Sequence, residues 1–481
     1  MDLDHDACYR ALKLRDARFD GRFFTAVSTT KIYCRPVCPA RTPLSRNVAF
    51  FPTAAAAQEA GFRPCLRCRP ETAPDMGAWR GTSNTVSRGL ALIELGGLDD
   101  SGAQELATRL GLGDRQLRRL FRTHLGASPI AVAQTRRILL AKQLIHETRL
   151  PMTEIAFAAG FGSIRRFNET FQALYGRPPS ELRRLTGADV ALADQGELSL
   201  LLRYQPPYDW QAMLEFLRAR AIAGVERIKG DSYTRTFSLD GIQGTVTVRP
   251  TPGNALEASI RAGKLTALPQ LIARLRRVFD LAADPLAISA HLATDPSLAP
   301  LVSKRPGLRV PGAWDGFELA VRAVLGQQIT VPAAMRLAGR LVAAYGERLV
   351  AADADLTHVF PQPAVLARAK LGSLGMPASR AATLSAVAAA VVADPDLLGA
   401  HLDLEEAVKR LRTIRGVGEW TAQYIALRQL REPDAFPAAD IGLLRALADG
   451  NGRRPGVNEV LAQAEKWRPW RAYAAQHLWT S

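Results

Sequence analysis

Two stretches of the chain carry the same spacing of apolar and polar positions. ELATRLGLGDRQLRRLFRTHLGASP begins at Glu105, and EIAFAAGFGSIRRFNETFQALYGRPP begins at Glu154. Ala107 corresponds to Ala156, Gly111 to Gly160 and Leu112 to Phe161 at an offset of 49; Phe121 and Gly126 correspond to Phe171 and Gly176 at an offset of 50. Each stretch reads as a short apolar helix, a glycine turn and a second, amphipathic helix, the second helices running from Asp114 to Leu125 and from Ser163 to Tyr175. Leu117, Leu120, Phe167 and Phe171 fall on the inward face and are assigned to the core. Further along, alternation over 232–239, 244–249 and 255–261, with Asp240-Gly241 as a turn, predicts an antiparallel sheet. From about residue 305 the chain is rich in alanine and leucine at helical spacing. A polar, glycine-containing stretch from Pro74 to Asn84 and a hinge, ADQGE, around residue 194 read as linkers.

A chain of 481 residues exceeds what one core organises, so several domains are expected. With 47% hydrophobic and 22% charged residues the composition is that of a globular protein. No apolar run approaches a membrane span, and MDLDHDACYR has neither a basic nor an apolar leader region, so a cytoplasmic protein is expected. The net charge of +16 favours a polyanionic partner. That charge is concentrated: residues 1–188 hold 28 Lys and Arg against 17 Asp and Glu, and the rest hold 34 against 29.

All five cysteines lie in the first 68 residues, four of them as Cys34-x3-Cys38 and Cys65-x2-Cys68. In a reducing compartment this pairing favours one tetrahedral thiolate zinc over disulfides, with Cys8 outside the set. Spacing alone supports a structural zinc ribbon. The wording around the cysteines, RFDGRFFTAVSTTKIYCRPVCPARTPLSRNVAFF and AAQEAGFRPCLRCRP, resembles the Ada-type methyl-phosphotriester acceptor domain. The resemblance implies that Cys34 takes a methyl group from DNA backbone phosphotriesters once and for all, with Cys38, Cys65 and Cys68 as the other ligands. It also places Thr30, Arg41 and Arg63 on the DNA backbone. Methylating Cys34 would remove a negative charge and weaken repulsion of DNA phosphates.

The repeated helical units fit helix-turn-helix arithmetic, and IAFAAGFGSIRRFNETFQALYGRPPSELRR resembles the AraC-type regulator domain. Residues 101–188 carry 14 basic against 6 acidic side chains, and Arg115, Arg118, Arg165 and Arg166 are candidates for DNA contact. Promoter DNA and RNA polymerase are the partners implied. Since no cysteine follows Cys68, a second, thiol-based repair of methylated guanine oxygen is excluded.

In LRTIRGVGEWTAQYIAL, residues 411–427, Gly416 and Gly418 bracket a tight turn whose following N–H groups could bind a phosphate. By itself that signal is weak. Together with Asp440 in AFPAADIGLL and with WRPWRAYAAQHLW, it resembles the AlkA-type 3-methyladenine DNA glycosylases of the helix-hairpin-helix superfamily, over about residues 198–481. The resemblance implies hydrolysis of the N-glycosidic bond, with Asp440 stabilising oxocarbenium character and Trp420, Tyr424 and Trp479 stacking a cationic base. Asp440 would equally serve as an N-cap for the helix that follows. Trp420 stands where strand-cutting relatives carry a lysine, which implies a monofunctional enzyme. Gln327 and Gln328 occupy the wedge region, where the family pattern has an apolar residue in place of Gln328. Related hairpins can hold a monovalent cation on their carbonyls.

The expected fold is multidomain and mainly α with α+β parts. It comprises a small four-cysteine zinc domain (1–78), a double helix-turn-helix domain (83–187), an antiparallel-sheet α+β domain (195–300) and an all-α helix-hairpin-helix glycosylase domain (301–481). The expected protein is a monomeric alkylation sensor, activator and glycosylase, associated with the nucleoid when bound to damaged duplex DNA. The alternative is a zinc-dependent DNA-binding regulator without glycosylase activity.

Overall fold

The computed structural model describes residues 3–74, 84–98, 102–186, 197–399 and 402–481. Two compact units divide the chain, one of Met1–Gln205 with Asn254–Ala273, the other of Pro206–Gly253 with Arg274–Ser481.

In the first unit a small sheet has the order Val48–Phe51, Phe24–Val27, Ile32–Cys34, Arg63–Pro64. The last pairing is parallel, with Ile32 opposite Arg63 and Tyr33 opposite Pro64. One more step along both strands brings Cys34 beside Cys65, so the register of the sheet assembles the thiols. Alanines of the helix Ala54–Glu59 cover the sheet, where Ala57 and Tyr33 are fully buried.

The two repeated units become Ala103–Arg109 with Asp114–Leu125, and Met152–Ala158 with Ile164–Tyr175 capped by Ser163. Gly126 and Gly176 close the second helix of each unit at φ +71° and +68°, a left-handed conformation that glycine adopts without a Cβ penalty. Leu117, Phe121, Phe167 and Phe171 are wholly buried and Leu120 packs partly buried beside the first pair. A 19-residue helix, Pro129–Glu147, separates the repeats. The linker at 74–84 lies outside the described residues except at its ends, where Pro74 is buried and Asn84 opens the helix Asn84–Glu94. The hinge around 194 likewise lies outside them, up to Glu197, which opens a strand that sequence reading missed. That strand, Glu197–Arg203, pairs antiparallel with Ala255–Ala262.

In the second unit, Glu226–Lys229, Ser232–Leu239 and Ile242–Thr251 form antiparallel pairs. Asp240 and Gly241 both have positive φ, +50° and +77°, as a two-residue hairpin turn requires. Helices then dominate, with one short antiparallel pair, Glu347–Arg348 with His358–Val359. Leu404–Arg412 and Glu419–Ile425 form the hairpin. Gly416 sits at its tip with φ +86°, and a Cβ there would lie 2.0 Å from Thr383 Oγ1. The turn therefore packs directly on the helix Ala378–Ala393.

Candidate active site and metal centre

Asp440 caps the helix Ile441–Ala446, its Oδ1 accepting the backbone N–H of Gly442 at 2.8 Å and of Leu443 at 3.2 Å. The same oxygen accepts Trp479 Nε1 at 2.9 Å, and Oδ2 accepts Trp420 Nε1 at 2.8 Å. The capping role and the placement in a cleft thus coexist in one side chain. All four partners are donors, an arrangement that an ionised carboxylate satisfies. Gly442, which sequence reading passed over, lets Trp479 approach: a Cβ there would stand 3.1 Å from Trp479 Cδ1.

The three aromatics form one wall. Trp420 stacks on Tyr424 at 5.4 Å with 13° between planes, and Trp479 meets Tyr424 at 6.4 Å and 65°. They line a cleft of about 600 Å³ together with Trp314, Glu318, Arg322 and Arg428. In the same lining, Arg235 and Arg322 share Glu318 at 2.8 and 2.6 Å, and Arg322 also reaches Glu226 at 2.5 Å. These carboxylates neutralise guanidinium charge that the low-dielectric interior would otherwise leave uncompensated. The Glu318 carboxyl is in turn held down to about 2, the guanidiniums of Arg235 and Arg322 outweighing the opposite push of burial.

Gln327 turns inward, its Nε2 donating to Gly416 O at 3.0 Å and to Thr421 Oγ1 at 3.1 Å, and so braces the hairpin. Gln328 is exposed with φ +57°, an uncommon conformation for a residue other than glycine. Gly418 opens the helix at φ −89° with empty space where a Cβ would lie.

In the first unit the Sγ atoms of Cys34, Cys38, Cys65 and Cys68 all lie within 4.8 Å of one another. The backbone N–H of Arg35 points to Cys68 Sγ and that of Arg67 to Cys65 Sγ, each at 3.3 Å. Four convergent thiol sulfurs, two of them accepting amide hydrogens, fit a tetrahedral thiolate zinc site. Cys38, Cys65 and Cys68 are buried, whereas Cys34 is partly exposed. Arg35 is clamped by the Asp20 carboxylate and by Thr72 and the Cys68 carbonyl. Cys8 packs separately, against Ala11 and Phe23.

Around the centre Thr30 and Arg41 are exposed and Arg63 is half-buried. On the recognition helices Arg115, Arg118, Arg165 and Arg166 are all exposed, with Arg118 paired to Asp114 and Arg165 to Glu169. Arg67, Arg119 and Arg122 are also exposed on these elements, and the i, i+3/i+4 spacing from Arg115 and Arg118 is the signal that would have found the last two.

Four family models match in chain order: the metal binding domain of Ada over 7–71, a helix-turn-helix domain over 106–185, the AlkA N-terminal domain over 199–315, and the HhH-GPD superfamily base excision DNA repair protein over 321–470. A relative from Mycobacterium tuberculosis, described as a probable bifunctional transcriptional activator/DNA repair enzyme AlkA, is 43% identical over 483 residues, spanning 100% of this chain and 97% of its own. The chain belongs to that bifunctional family. Within the family's two halves the likeness divides. DNA-3-methyladenine glycosylase 2 of Escherichia coli is 37% identical over 284 residues, 58% of this chain and 95% of that protein. The solved 3-methyladenine DNA-glycosylase of Archaeoglobus fulgidus superposes with a TM-score of 0.52 at 20% identity, over 59% of this chain and 97% of that one, which shows the shared fold.

Proposed function

We propose that the chain is an alkylation sensor, transcriptional activator and monofunctional 3-methyladenine-type DNA glycosylase in one polypeptide. The observation that carries the glycosylase half is the Asp440 carboxylate, fixed by four N–H donors beside a stacked aromatic wall. As the N-glycosidic bond of a flipped alkylated base lengthens, positive charge grows on the sugar, and a preoriented carboxylate stabilises it without reorganising. Trp420, Tyr424 and Trp479 receive the base and exclude water from its faces. Gln328 fills the vacated stack, while Gly416 and Gly418 with the following amides hold the DNA backbone, and a monovalent cation on the hairpin carbonyls completes that hold.

In the other half, the partly exposed Cys34 thiolate attacks the methyl carbon of a backbone phosphotriester. The carbon–oxygen bond breaks, the electron pair leaves with the phosphate as a diester anion, and a thioether remains. Bound zinc keeps the thiolates deprotonated and electron-rich at neutral pH. Cys38, Cys65 and Cys68 hold the centre, Thr30, Arg41 and Arg63 hold the backbone, and the charge lost at Cys34 strengthens DNA binding by the helix-turn-helix units through Arg115, Arg118, Arg165 and Arg166. Activation then brings RNA polymerase to the promoter. The working domains are 1–78, 83–187, 195–300 and 301–481, in a monomer that gathers on the nucleoid.

The test is release of 3-methyladenine from alkylated duplex by the wild type beside Asp440→Asn. Release that survives the substitution would refute the catalytic assignment, and no release at all would leave the regulator alone standing. Mass spectrometry after incubation with methylated DNA should find one added methyl on Cys34, and none in Cys34→Ala.

A further inference from the structure

Arg428 is 2% exposed yet contributes to the wall of the base cleft. Its guanidinium lies over Phe216 at 4.4 Å and reaches the rings of Tyr424 and Trp479 at 5.3 Å each. Unlike Arg235, Arg322 and Arg431, it pairs with no carboxylate among the described residues. Its acceptors are neutral: Pro311 O at 2.9 Å and Gln476 Oε1 at 3.2 Å, while Nε, fully enclosed, has no partner. A buried cation without a carboxylate partner is costly, and its place in the wall of a ligand cleft calls for an acceptor that arrives with the ligand. Burial first, and then Arg220 and Arg431, push its ionisation down to about 10, so it remains charged at neutral pH.

Tyr424 extends the same logic. The guanidinium of Arg428 lies 5.3 Å from the Tyr424 ring, and the guanidiniums of Arg428, Arg220 and Arg322 hold the phenol below its ordinary range in spite of burial. The Tyr424 phenol lines the same cleft and carries one hydrogen to give away. Arginine and phenol together therefore make two donors, with no matching acceptor, at one end of an otherwise aromatic wall.

We propose that Arg428 and the Tyr424 hydroxyl form a donor pair that selects alkylated bases presenting a carbonyl oxygen, as guanine does at its six position, over bases presenting an amine there, as adenine does. This rests on the reading of the cleft as the pocket for the flipped base. A carbonyl accepts from both groups, whereas an amine sets donor against donor and leaves buried groups unpaired, which is the stronger form of discrimination.

Two bases isolate the effect. 3-Methylguanine and 3-methyladenine carry the methyl at the same nitrogen and the same cationic charge, so repulsion from Arg428 cancels in their ratio. Dimethyl sulfate-treated duplex DNA contains both, and single-turnover release by the full-length protein can be followed for each by chromatography. In Tyr424→Phe, which keeps the ring, the rate ratio of 3-methylguanine to 3-methyladenine should fall about tenfold, the loss expected for one hydrogen bond to a buried group. Arg428→Met should lower it at least as far. If both variants slow the two bases equally, Arg428 is packing and the inference is overturned; Tyr424→Phe decides alone if Arg428→Met does not fold. Wild-type protein that releases neither base would overturn the glycosylase reading and this inference with it, an outcome distinct from release without selectivity.

Discussion

Trp420 Nε1 and Asp440 Oδ2, 20 residues apart in sequence, are joined by a 2.8 Å hydrogen bond that crosses from the hairpin to the start of the next helix. A residue expected only to stack a base thereby also orients the carboxylate that faces it. Its two duties can be separated. Trp420→Phe keeps an aromatic face but removes the donor, so single-turnover release of 3-methyladenine should fall roughly 10- to 100-fold, as for one hydrogen bond to a charged group, with little change in DNA affinity. Equal release by the variant and the wild type would show that the bond does not matter for the chemistry.

A second relationship ties the cysteine centre to the helix between the two repeats. Lys142, wholly buried on the helix between the repeats, donates to Cys65 O at 2.9 Å and to Glu71 Oε2 at 2.7 Å. Burial lowers its ionisation against the pull of Glu71, so the pair is held at a desolvation cost. Lys142→Met should destabilise the first unit by about 3 kcal/mol, toward the low end for a broken buried pair because Arg69 still faces Glu71. Hydrogen exchange should speed up both in residues 63–72 and along the helix Pro129–Glu147. Faster exchange on one side only would contradict the coupling.

At the hairpin, the two glycines should respond in opposite ways. Gly416→Ala places a Cβ 2.0 Å from Thr383 Oγ1 at φ +86°, and a loss of at least about 2 kcal/mol is expected. Gly418→Ala meets nothing within 4 Å at φ −89°, so its thermal midpoint should barely move. Differential scanning calorimetry of both variants checks the pair, and comparable losses would contradict the packing described.

How much of this was legible beforehand depends on how local each feature is. The recognition helices, the Asp240-Gly241 turn and the cysteine quartet rest on spacings within a few tens of residues, and each is readable from the sequence with bounds close to those observed. Asp440 is legible through its family wording, and its double use as cap and cleft carboxylate is open in the sequence. Arg428 is not, because its meaning comes from Phe216 and Pro311, far away in the chain. Only its place four residues after Tyr424, inside an apolar helix, hints that it points inward. Lys142 is hidden for the same reason: a lysine on a helix reads as solvated until a second element supplies Glu71 and Cys65 O. Gln327 shows the converse, since a polar residue near the expected wedge spends its amide on the hairpin.

Acid should loosen the second unit through His477. Burial, reinforced by Arg305 and only partly offset by a backbone contact with Leu301, holds its imidazole at about 4, below the ordinary value near 6.5. The folded state therefore refuses a proton that the unfolded chain accepts. The resulting stability is complete above about pH 6.5, declines as the pH falls, and is exhausted below about pH 4, with a total on the order of 3 kcal/mol. Six of the seven tryptophans lie in the second unit, so urea midpoints read by tryptophan fluorescence between about pH 4 and 7 report on it selectively. The wild-type midpoint should drop across this window, and His477→Gln, which cannot titrate, should flatten the drop even if it is less stable at neutral pH. Because His477 shares its helix with Trp479, which donates to Asp440, glycosylase activity should decline over the same range. An unchanged pH slope in His477→Gln would assign the acid sensitivity to other groups.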